Sequence, residues 1–343
     1  MKKLTLLASA AVIAAFAFIG SASAGTLADV QARGSLNCGV NGPTGLTGFG
    51  IPDDKGNWTG LDVDMCRAVA AAVFGDATKV KFVPLGSKER FTALQSGEID
   101  MLARNSTWTY ARDTELGLDF VAVNYYDGQG FLVRKELGVK SAKELSGATI
   151  CVQTGTTTEK NLADYFRTNN LDLKQPPTFE NADQARQAYD EGRCDAYTTD
   201  ASGLASERTQ LKNPADNIIL PEIISKEPLG PVVRHGDNNW GDIVRWSFFA
   251  MLIAEEKGIT QANVDQIKTS TQDPEVRRLL SLDDDWGKKM GVSKDWAYDI
   301  IKSVGNYGES FERNVGQKTP LGLARGLNEL WSKGGLQYAP PFN

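Results

Sequence analysis

The chain has 343 residues, with 37 lysines and arginines against 43 aspartates and glutamates, a formal net charge of −6 and a single histidine. This length suits two domains better than one core. A mildly acidic chain without a basic block is not expected to bind nucleic acid. Beyond the N-terminal region, no segment approaches the roughly 18 uninterrupted apolar residues that a membrane-spanning helix needs.

The first 24 residues predict a cleaved signal peptide. Lys2 and Lys3 form a short basic start, residues 4–20 are an apolar run, and small residues lead up to Ala24. This is the layout of a secretory leader. A retained membrane anchor is the alternative, because the apolar run is nearly long enough to cross a bilayer. We expect cleavage after Ala24 and a mature protein in the periplasm.

The cysteines favour disulfides over a metal site. No C-x-x-C pair occurs, and His235 is the only histidine, so no zinc or other metal site is expected. An exported chain with four cysteines suggests two disulfides. Three pairings are possible, and we favour Cys38–Cys66 with Cys151–Cys194, since each bridge then closes a short loop within one half. Four buried free thiols are the alternative.

The first half alternates short β-rich runs with helical patterns. The predicted strands lie at 35–40, 79–85, 99–103 and 117–126, and the predicted helices lie at 60–76 and 87–97. Ser87 is expected to cap the second helix and Gly97 to end it. Leu61, Met65 and Val69 fall on one apolar stripe of the first helix.

The second half repeats this order of elements. Strands are predicted at 148–152 and 194–200, and helices at 159–170, 182–192 and 201–211. Ser141 with Glu144 predicts a capping box at the start of a short helix. Strands that alternate with helices predict an α/β fold with mostly parallel sheets covered on both faces.

The last hundred residues are predicted to be mainly helical. The segments 240–258 and 319–335 both show an apolar face. The aromatic residues of this region are expected to lie in the core rather than against a ligand. They are Trp240, Trp246, Phe248, Phe249 and Trp331.

Two polar turns follow predicted strands at positions where open α/β sheets bind ligands. In the first, Arg112 is suited to a carboxylate, because a guanidinium donates to it in a two-point geometry. Thr107 can add a hydroxyl and Asn105 a backbone group. A purely structural role is the alternative: Thr107 or Thr109 would cap a helix, and Arg112 would form a solvated ion pair with Asp113.

The second polar turn places Thr156 and Thr157 at a helix N-terminus, which favours an anion. Asp200, at the end of a later strand, is suited to an ammonium group. It can equally cap the following helix. The candidates come from both halves and from equivalent strand ends, so together they predict a site for a free amino acid.

The segments that contain these residues resemble a known protein family, and the resemblance spans nearly the whole chain after residue 24. "FTALQSGEIDMLARNSTWTYARD", "GATICVQTGTTTE" and "GRCDAYTTDASGLAS" resemble the periplasmic solute-binding proteins of polar amino acid ABC transporters. "EPLGPVVRHGD" and "ARGLNELWSKGGLQYAPP" resemble the general L-amino acid-binding branch in particular. The specific motifs are T-x-T-x-x-R at Thr107, Thr109 and Arg112, and G-T-T at Gly155, Thr156 and Thr157.

The resemblance implies a two-lobed type II (flytrap) fold, without a cofactor. Lobe 1 would comprise 25–126 and 231–343, including a helical C-terminal extension, and lobe 2 would comprise 127–230. The hinge would lie near Tyr125–Gly128 and Pro228–Gly230, where each crossing segment contains glycine or proline.

The resemblance also implies residue roles. Arg112 would bind the α-carboxylate with help from Asn105, Thr107 and Thr157, and Asp200 would receive the α-ammonium.

The side-chain pocket departs from the family pattern. The usual aromatic is replaced by glycine-rich "NGPTGLTGFG", so Leu46 or Phe49 would line the pocket, with Trp108 as a further candidate. A roomy, glycine-lined pocket discriminates weakly between side chains. Broad specificity for L-amino acids is therefore expected.

The predicted function is a monomeric transport receptor that captures L-amino acids and delivers them to the permease of an ABC transporter. One alternative is an exported amino-acid-related enzyme on the same scaffold, with Glu89 and Asp200 as a conceivable acid–base pair. A lone histidine gives little support to a Ser-His-Asp arrangement, so no enzyme is expected. A chemosensory ligand-binding protein is the second alternative.

Overall fold

The computed structural model describes residues 25–42 and 45–343. The predicted signal peptide, residues 1–24, lies outside the described residues. Within the described part, no helix combines the length and apolar character needed to cross a membrane.

Fourteen strands and thirteen α-helices are present in the described ranges. The strands are β1 (Leu36–Asn41), β2 (Ile51–Pro52), β3 (Trp58–Thr59), β4 (Val80–Leu85), β5 (Met101–Leu102), β6 (Leu118–Phe120), β7 (Tyr125–Asp127), β8 (Gln129–Arg134), β9 (Ile150–Gln153), β10 (Thr178–Phe179), β11 (Ala196–Asp200), β12 (Asn217–Ile219), β13 (Glu227–Leu229) and β14 (Val232–Arg234). The helices are α1 (Thr26–Arg33), α2 (Leu61–Phe74), α3 (Arg90–Gln95), α4 (Tyr110–Glu115), α5 (Thr157–Thr168), α6 (Ala182–Asp190), α7 (Ala201–Thr209), α8 (Asn238–Glu256), α9 (Val264–Ser270), α10 (Pro274–Leu279), α11 (Gly287–Met290), α12 (Trp296–Ser303) and α13 (Tyr307–Asn314).

Two five-stranded sheets define two lobes. In lobe 1 the strand order is β4-β1-β5-β14-β6, and in lobe 2 it is β10-β9-β11-β8-β12. Parallel pairs join β4, β1 and β5 in the first sheet, and β10, β9 and β11 in the second. In each sheet one strand, β14 or β8, pairs antiparallel with both neighbours and so runs against the rest. The predicted α/β class with mostly parallel sheets is confirmed.

The chain passes between the sheets through a two-stranded ribbon. β7 and β13 pair antiparallel, with Pro228 opposite Tyr126. The strands that run against the rest, β8 and β14, follow these two crossings directly. Glycine is required at both crossings, because a Cβ would lie 2.2 Å from Ile223 Cγ2 at Gly128 and 1.9 Å from the Ala122 carbonyl oxygen at Gly230.

The disulfides form within the lobes. Cys38 on β1 bonds Cys66 on α2, and Cys151 on β9 bonds Cys194 just before β11. This is the pairing favoured from the sequence, and neither of the two bridges joins one lobe to the other. All four cysteines are buried in the hydrophobic cores.

The C-terminal helices belong to lobe 1. α8, α12 and α13 pack with α2 in one hydrophobic core, in which Trp240, Trp296 and Phe311 are almost fully buried. A polar cluster ties α13 to α2: Asp64 accepts hydrogen bonds from Ser310 Oγ at 2.7 Å and from Asn314 Nδ2 at 2.6 Å.

Several local predictions are wrong. Residues 319–335 form no α-helix; they hold two short 3₁₀ turns, and Gly322, Gly326 and Gly334 have positive φ, which an α-helix does not tolerate. Trp331 in this segment is 55% exposed rather than in the core. The predicted strand 117–126 is divided between β6 and β7, which lie in different sheets.

Two predicted caps also differ. α3 begins at Arg90 rather than beside Ser87, whose Oγ accepts from Arg104 at 3.2 Å. Ser141 accepts from the Lys143 amide at the start of a 3₁₀ turn, while its own hydroxyl donates to Glu222. The capping box in the described part of the chain joins Asn306 with Glu309 at α13.

Candidate functional site

A cavity of about 250 Å³ lies between the lobes. Both lobes supply its walls: the turns after β1, β4 and β5 from lobe 1, and the segments after β9, β10 and β11 from lobe 2. We call it the cleft cavity. Its charged lining residues are Glu89, Arg90, Arg104, Glu180, Asp183, Asp200 and Glu207.

Two buried arginines face the cavity from lobe 1. Arg90 is 3% exposed, and Arg104 Nε donates to the Leu85 carbonyl at 2.8 Å. Their hydrogen bonds go to backbone carbonyls and one hydroxyl, not to carboxylates. Burial lowers the pKa of both guanidiniums, that of Arg104 to about 10. The nearby charges of Asp62 and Glu89 raise the pKa of Arg104 in part. Because neither guanidinium donates a hydrogen bond to a carboxylate, both suit an anionic ligand.

Arg112 lies beside this pair without lining the cavity. Its Nη1 donates to the Thr107 carbonyl at 2.9 Å, and its guanidinium stacks 4.9 Å from the Phe91 ring centre. Arg90 lies over the same ring at 4.8 Å. Burial lowers the pKa of Arg112, while the nearby Glu227 and Asp200 raise it. Cation–π contacts with one ring thus help to position both guanidiniums.

Asp200 faces the arginines from lobe 2. It is 6% exposed, lines the cavity and occupies the N-cap position of α7, yet its side chain makes no capping hydrogen bond. Burial raises its pKa well above the ordinary value, as do the charges of Asp127 and Glu227, while Arg90 and Arg112 act in the opposite direction. A cation beside Asp200 would stabilise its charged form.

Asp127 performs the capping that Asp200 does not. Both the backbone amide and the hydroxyl of Ser202, in the first turn of α7, donate to the Asp127 carboxylate. The Asp127 carboxylate also accepts from the Gly128 amide at 2.8 Å. Burial raises the pKa of Asp127 to about 6. With the helix start satisfied by another residue, the Asp200 carboxylate is left free to face the cavity.

Thr107 and Thr157 meet at a buried carboxylate. Glu227, on the crossing strand β13, accepts from Thr107 Oγ1 at 2.6 Å and from Thr157 Oγ1 at 2.9 Å. It also accepts from Asn161 and Ser225. The two threonine hydroxyls, one from each lobe, are therefore donated to Glu227, and their backbone amides are the groups left to contact a ligand.

Thr156 and Asn105 also line the cavity, and each already forms a hydrogen bond within the protein. Thr156 caps α5 by accepting from the Glu159 amide at 3.2 Å. The Asn105 amide donates to Asp62 at 2.7 Å, and its backbone has a φ of +27°. Thr109 caps α4 by accepting from the Arg112 amide, so its role is structural.

The aromatic candidates lie elsewhere. Phe49 is buried edge-on against Tyr125, with ring centres 5.2 Å apart, and does not line the cavity, whereas Leu46 does. Trp108 stacks on Phe120 at 5.9 Å and is partly exposed outside the cavity. Within the described residues, the side-chain pocket has no aromatic platform at Phe49 or Trp108.

The sequence motifs do not select Arg90 or Glu207 as site residues, although the positions of both on their helices could have indicated them. Arg90 shares the apolar face of α3 with Ala93 and Leu94, and Glu207 shares that of α7 with Leu204. A charged residue at such a position is unusual, because a buried charge needs a partner or a ligand. Arg104 offers a weaker signal, since it only follows a short strand.

Comparison with known proteins shows which family the chain is similar to. The family model of bacterial extracellular solute-binding proteins, family 3, matches residues 38–280. The glutamate/glutamine/aspartate/asparagine-binding protein of Rhodobacter capsulatus is 63% identical over the whole of both chains. The general L-amino acid-binding periplasmic protein of Rhizobium johnstonii is also 63% identical, over 98% of each chain.

Solved structures give the same fold. A periplasmic binding protein from Brucella ovis, with glutathione bound, superposes with a TM-score of 0.90 at 60% identity and covers 93% of this chain and 100% of its own. An ancestral arginine-binding protein bound to arginine has a TM-score of 0.56 at 29% identity, over 69% of this chain and 97% of its own. The chain thus belongs to family 3 of the bacterial extracellular solute-binding proteins.

Proposed function

We propose that the protein captures L-amino acids in the periplasm, between its two lobes, and delivers them to the permease of an ABC transporter. The observation that carries this proposal is the placement of unpaired opposite charges on the two walls of the cleft cavity. Lobe 1 supplies Arg90 and Arg104, with Arg112 beside them, and lobe 2 supplies Asp200. An α-amino acid carries the matching carboxylate and ammonium on one carbon.

Three buried polar atoms on the cavity wall lack hydrogen-bond partners among the described residues, which favours a polar ligand. Asn41 Nδ2, Arg90 Nε and Asn105 Oδ1 are buried and find no partner among the described residues. All three residues line the cavity. Since buried polar atoms are normally hydrogen-bonded, a bound ligand that completes these bonds is favoured.

The number of arginines points to side chains with an oxygen-bearing end. The T-x-T-x-x-R resemblance assigns the α-carboxylate to Arg112, which lies beside the cavity wall, and this leaves Arg90 with its unpaired Nε for a second ligand oxygen. Glutamate, glutamine, aspartate and asparagine carry such an oxygen, and the Rhodobacter relative is named as a binding protein for all four. Leu46, Gly42 and Gly45 form the remaining, weakly discriminating wall, so smaller and apolar side chains are also accommodated.

Calorimetry with paired variants tests these assignments. Arg112→Met should weaken L-alanine and L-glutamate together, by several kcal/mol, because it removes a charge-assisted bond to the shared α-carboxylate. Arg90→Met should weaken L-glutamate far more than L-alanine. Asp200→Asn should weaken both. Unchanged affinity for every amino acid in Arg112→Met and Asp200→Asn would reject the proposed site.

Delivery requires the lobes to open and close. We assign the hinge to the ribbon of β7 and β13, and the lobes to 25–126 with 231–343 and to 127–230. A ligand that contacts both lobes stabilises the closed form, which the permease then recognises. Because each disulfide lies within one lobe, neither bridge opposes this motion. The proposed receptor acts as a monomer and needs no cofactor.

We also propose that the protein binds amino acids without converting them. His235 lies at the surface with its Nε2 2.9 Å from Asp119 Oδ1, outside the cleft cavity. The Glu89 carboxylate accepts from the Gly86 amide at 2.7 Å, which gives it a structural role. Amino acids incubated with the purified protein should be recovered unchanged; a new product that accumulates with time would favour the enzyme alternative.

A further inference from the structure

Asp62 is a buried carboxylate that lies behind the wall of the cleft cavity. It belongs to the first turn of α2, is 2% exposed and does not line the cavity. Its Oδ2 accepts from the Asn105 amide at 2.7 Å, and its Oδ1 accepts from Asn124 Nδ2 at 2.9 Å. Each carboxylate oxygen therefore has its own donor, one on the cavity wall and one in the segment that leads into β7.

The bond to Asn105 concerns the ligand site directly. Asn105 lines the cavity with a φ of +27°, a conformation that residues with a side chain adopt rarely and that persists only where surrounding contacts hold it. The contact that holds its amide is the Asp62 carboxylate. Because the side-chain Oδ1 of Asn105 is buried without a partner among the described residues, it is an acceptor available to a ligand ammonium.

The rest of this turn is held by the crossing strand β13. The Trp108 amide donates to the Pro228 carbonyl at 2.8 Å, and the Gly230 amide donates to the Ser106 carbonyl at 3.0 Å. These bonds fix residues 106–108 against the ribbon between the lobes. Asp62 supplies the anchor at the start of the same turn, at the residue whose side chain meets the cavity.

The bond to Asn124 orients the carboxylate itself. Asn124 is 3% exposed, its amide donates to the Leu229 carbonyl at 2.9 Å, and its own carbonyl accepts from the Tyr307 hydroxyl at 2.9 Å. Since this backbone is held on both sides, the Asn124 side chain can keep one oxygen of Asp62 in place. The other oxygen is thereby aimed at the cavity wall.

We propose that Asp62 is a positioning residue for amino acid binding, which holds Asn105 so that its side-chain oxygen accepts from the ligand α-ammonium. Asp62 does not contact the ligand and acts only through Asn105. This inference rests on the proposed function, because an amino acid must first occupy the cleft cavity. It extends the binding machinery to a residue outside the cavity.

Two substitutions of Asp62 separate its hydrogen bonds from its charge, which acts on the nearby Arg104. Asp62→Ala removes both acceptors and should weaken L-alanine about tenfold in calorimetry. Asp62→Asn removes the same charge but can keep both bonds, because Asn124 Oδ1 lacks a partner among the described residues and can accept after rotation of its amide. Asp62→Asn should therefore recover most of the loss. Equal losses in the two variants would refute the positioning role.

A double-mutant cycle shows whether Asp62 acts through Asn105. Asn105→Gly permits the positive φ and removes the side-chain oxygen, so on its own it should weaken L-alanine about as much as Asp62→Ala does. In the Asn105→Gly background, Asp62→Ala should change the affinity less than about twofold. A tenfold loss in both backgrounds would overturn the inference. Unchanged affinity in Asn105→Gly alone would also overturn it, even where Asp62→Ala does not fold.

Asp64→Ala is the matched control for general destabilisation. Asp64 lies on the same helix, is 4% exposed and accepts from Ser310 and Asn314 of α13, away from the cavity. Urea unfolding should show that Asp64→Ala and Asp62→Ala both lose stability, whereas only Asp62→Ala loses affinity in the folded state. Equal losses of affinity would reject the positioning role and leave the proposed function standing. If no amino acid binds the wild-type protein, the proposed function itself fails.

Discussion

The ionisation of Asp200 is expected to depend on a bound ligand. Its carboxylate is buried among other acids, and its nearest cations, Arg90 and Arg112, belong to the opposite lobe. Burial, followed by the charges of Asp127 and Glu227, raises its pKa, so the folded protein holds a proton there at pH values where a free aspartate is charged. A ligand ammonium would reverse this effect.

Proton release on binding is therefore expected. The α-ammonium lowers the raised pKa of Asp200, so the complex holds fewer protons than the free protein between the two pKa values. Affinity for L-alanine should rise with pH across that window. Calorimetry in buffers of different ionisation enthalpy, with ligand injected into buffer as the control, should report a released proton. Binding enthalpies that do not depend on the buffer would contradict this prediction.

The sequence identifies candidate binding residues from their type and their motif spacing, but it does not predict their hydrogen bonds. Asp200, Thr107 and Thr157 were selected from strand-end positions, and all three line the cavity. Nothing in the sequence shows that Glu227, 70 residues beyond Thr157, takes both threonine hydroxyls. That contact depends on how the crossing strand returns between the lobes.

At the scale of elements, Glu227 connects three parts of the fold. It lies on β13 and accepts from Thr107 of lobe 1, from Thr157 and Asn161 of α5, and from Ser225. It is 1% exposed. A buried carboxylate that accepts several hydrogen bonds stabilises the arrangement of its donors, which here come from both lobes.

Glu227→Gln should destabilise the protein by about 1–3 kcal/mol, because an amide offers one acceptor oxygen and turns an NH2 group towards donors. Urea unfolding followed by circular dichroism measures this effect. Lys88→Ala is the comparison: it removes an exposed pair with Glu180 across the cleft, which is worth at most about 1 kcal/mol. Equal losses in both variants would argue against a special role for Glu227.

The two disulfides are expected to stabilise the fold without affecting ligand affinity. The bridges close segments with sequence separations of 28 and 43 residues. Loop entropy predicts that replacing either pair by alanines lowers the free energy of unfolding by about 4 kcal/mol. Amino acid affinity measured at low temperature should be unchanged, because neither bridge crosses the cleft. A large loss of affinity in a folded variant would show that a bridge shapes the site.

Periodic elements were predictable, and elements rich in glycine were not. The apolar stripe of α2 was recognised, and Leu61, Met65 and Val69 are buried as expected. The segment 319–335 also shows an apolar pattern, but its glycines adopt positive φ and break the helix into turns. Periodicity reports which residues are apolar, while the backbone conformation of glycine is decided by tertiary contacts.

At the scale of the whole molecule, the C-terminal segment reaches the lobe crossing. Asn328 forms two hydrogen bonds with the backbone of Tyr126 on β7, at 2.6 and 3.1 Å. Tyr307 donates to the Asn124 carbonyl and Gln337 to the Val123 carbonyl. The sequence indicated an extension of lobe 1 but not this contact, which joins the extension to one strand of the proposed hinge.

Ligand-dependent closure is the expected behaviour of this assembly. L-glutamate contacts both lobes in the proposed site, so it should shift the population towards the closed form. Small-angle scattering should show a smaller radius of gyration with L-glutamate than without it. Arg112→Met with Asp200→Asn should abolish the difference. A radius that does not respond to any amino acid would indicate that the lobes do not move on binding.

A crystal structure with a bound L-amino acid tests the central claim most directly. We expect the ligand in the cleft cavity, with its α-ammonium within hydrogen-bond distance of Asp200 and its α-carboxylate facing the Arg112 guanidinium. A ligand bound outside the cleft, or held there with its ammonium and carboxylate away from both side chains, would contradict it.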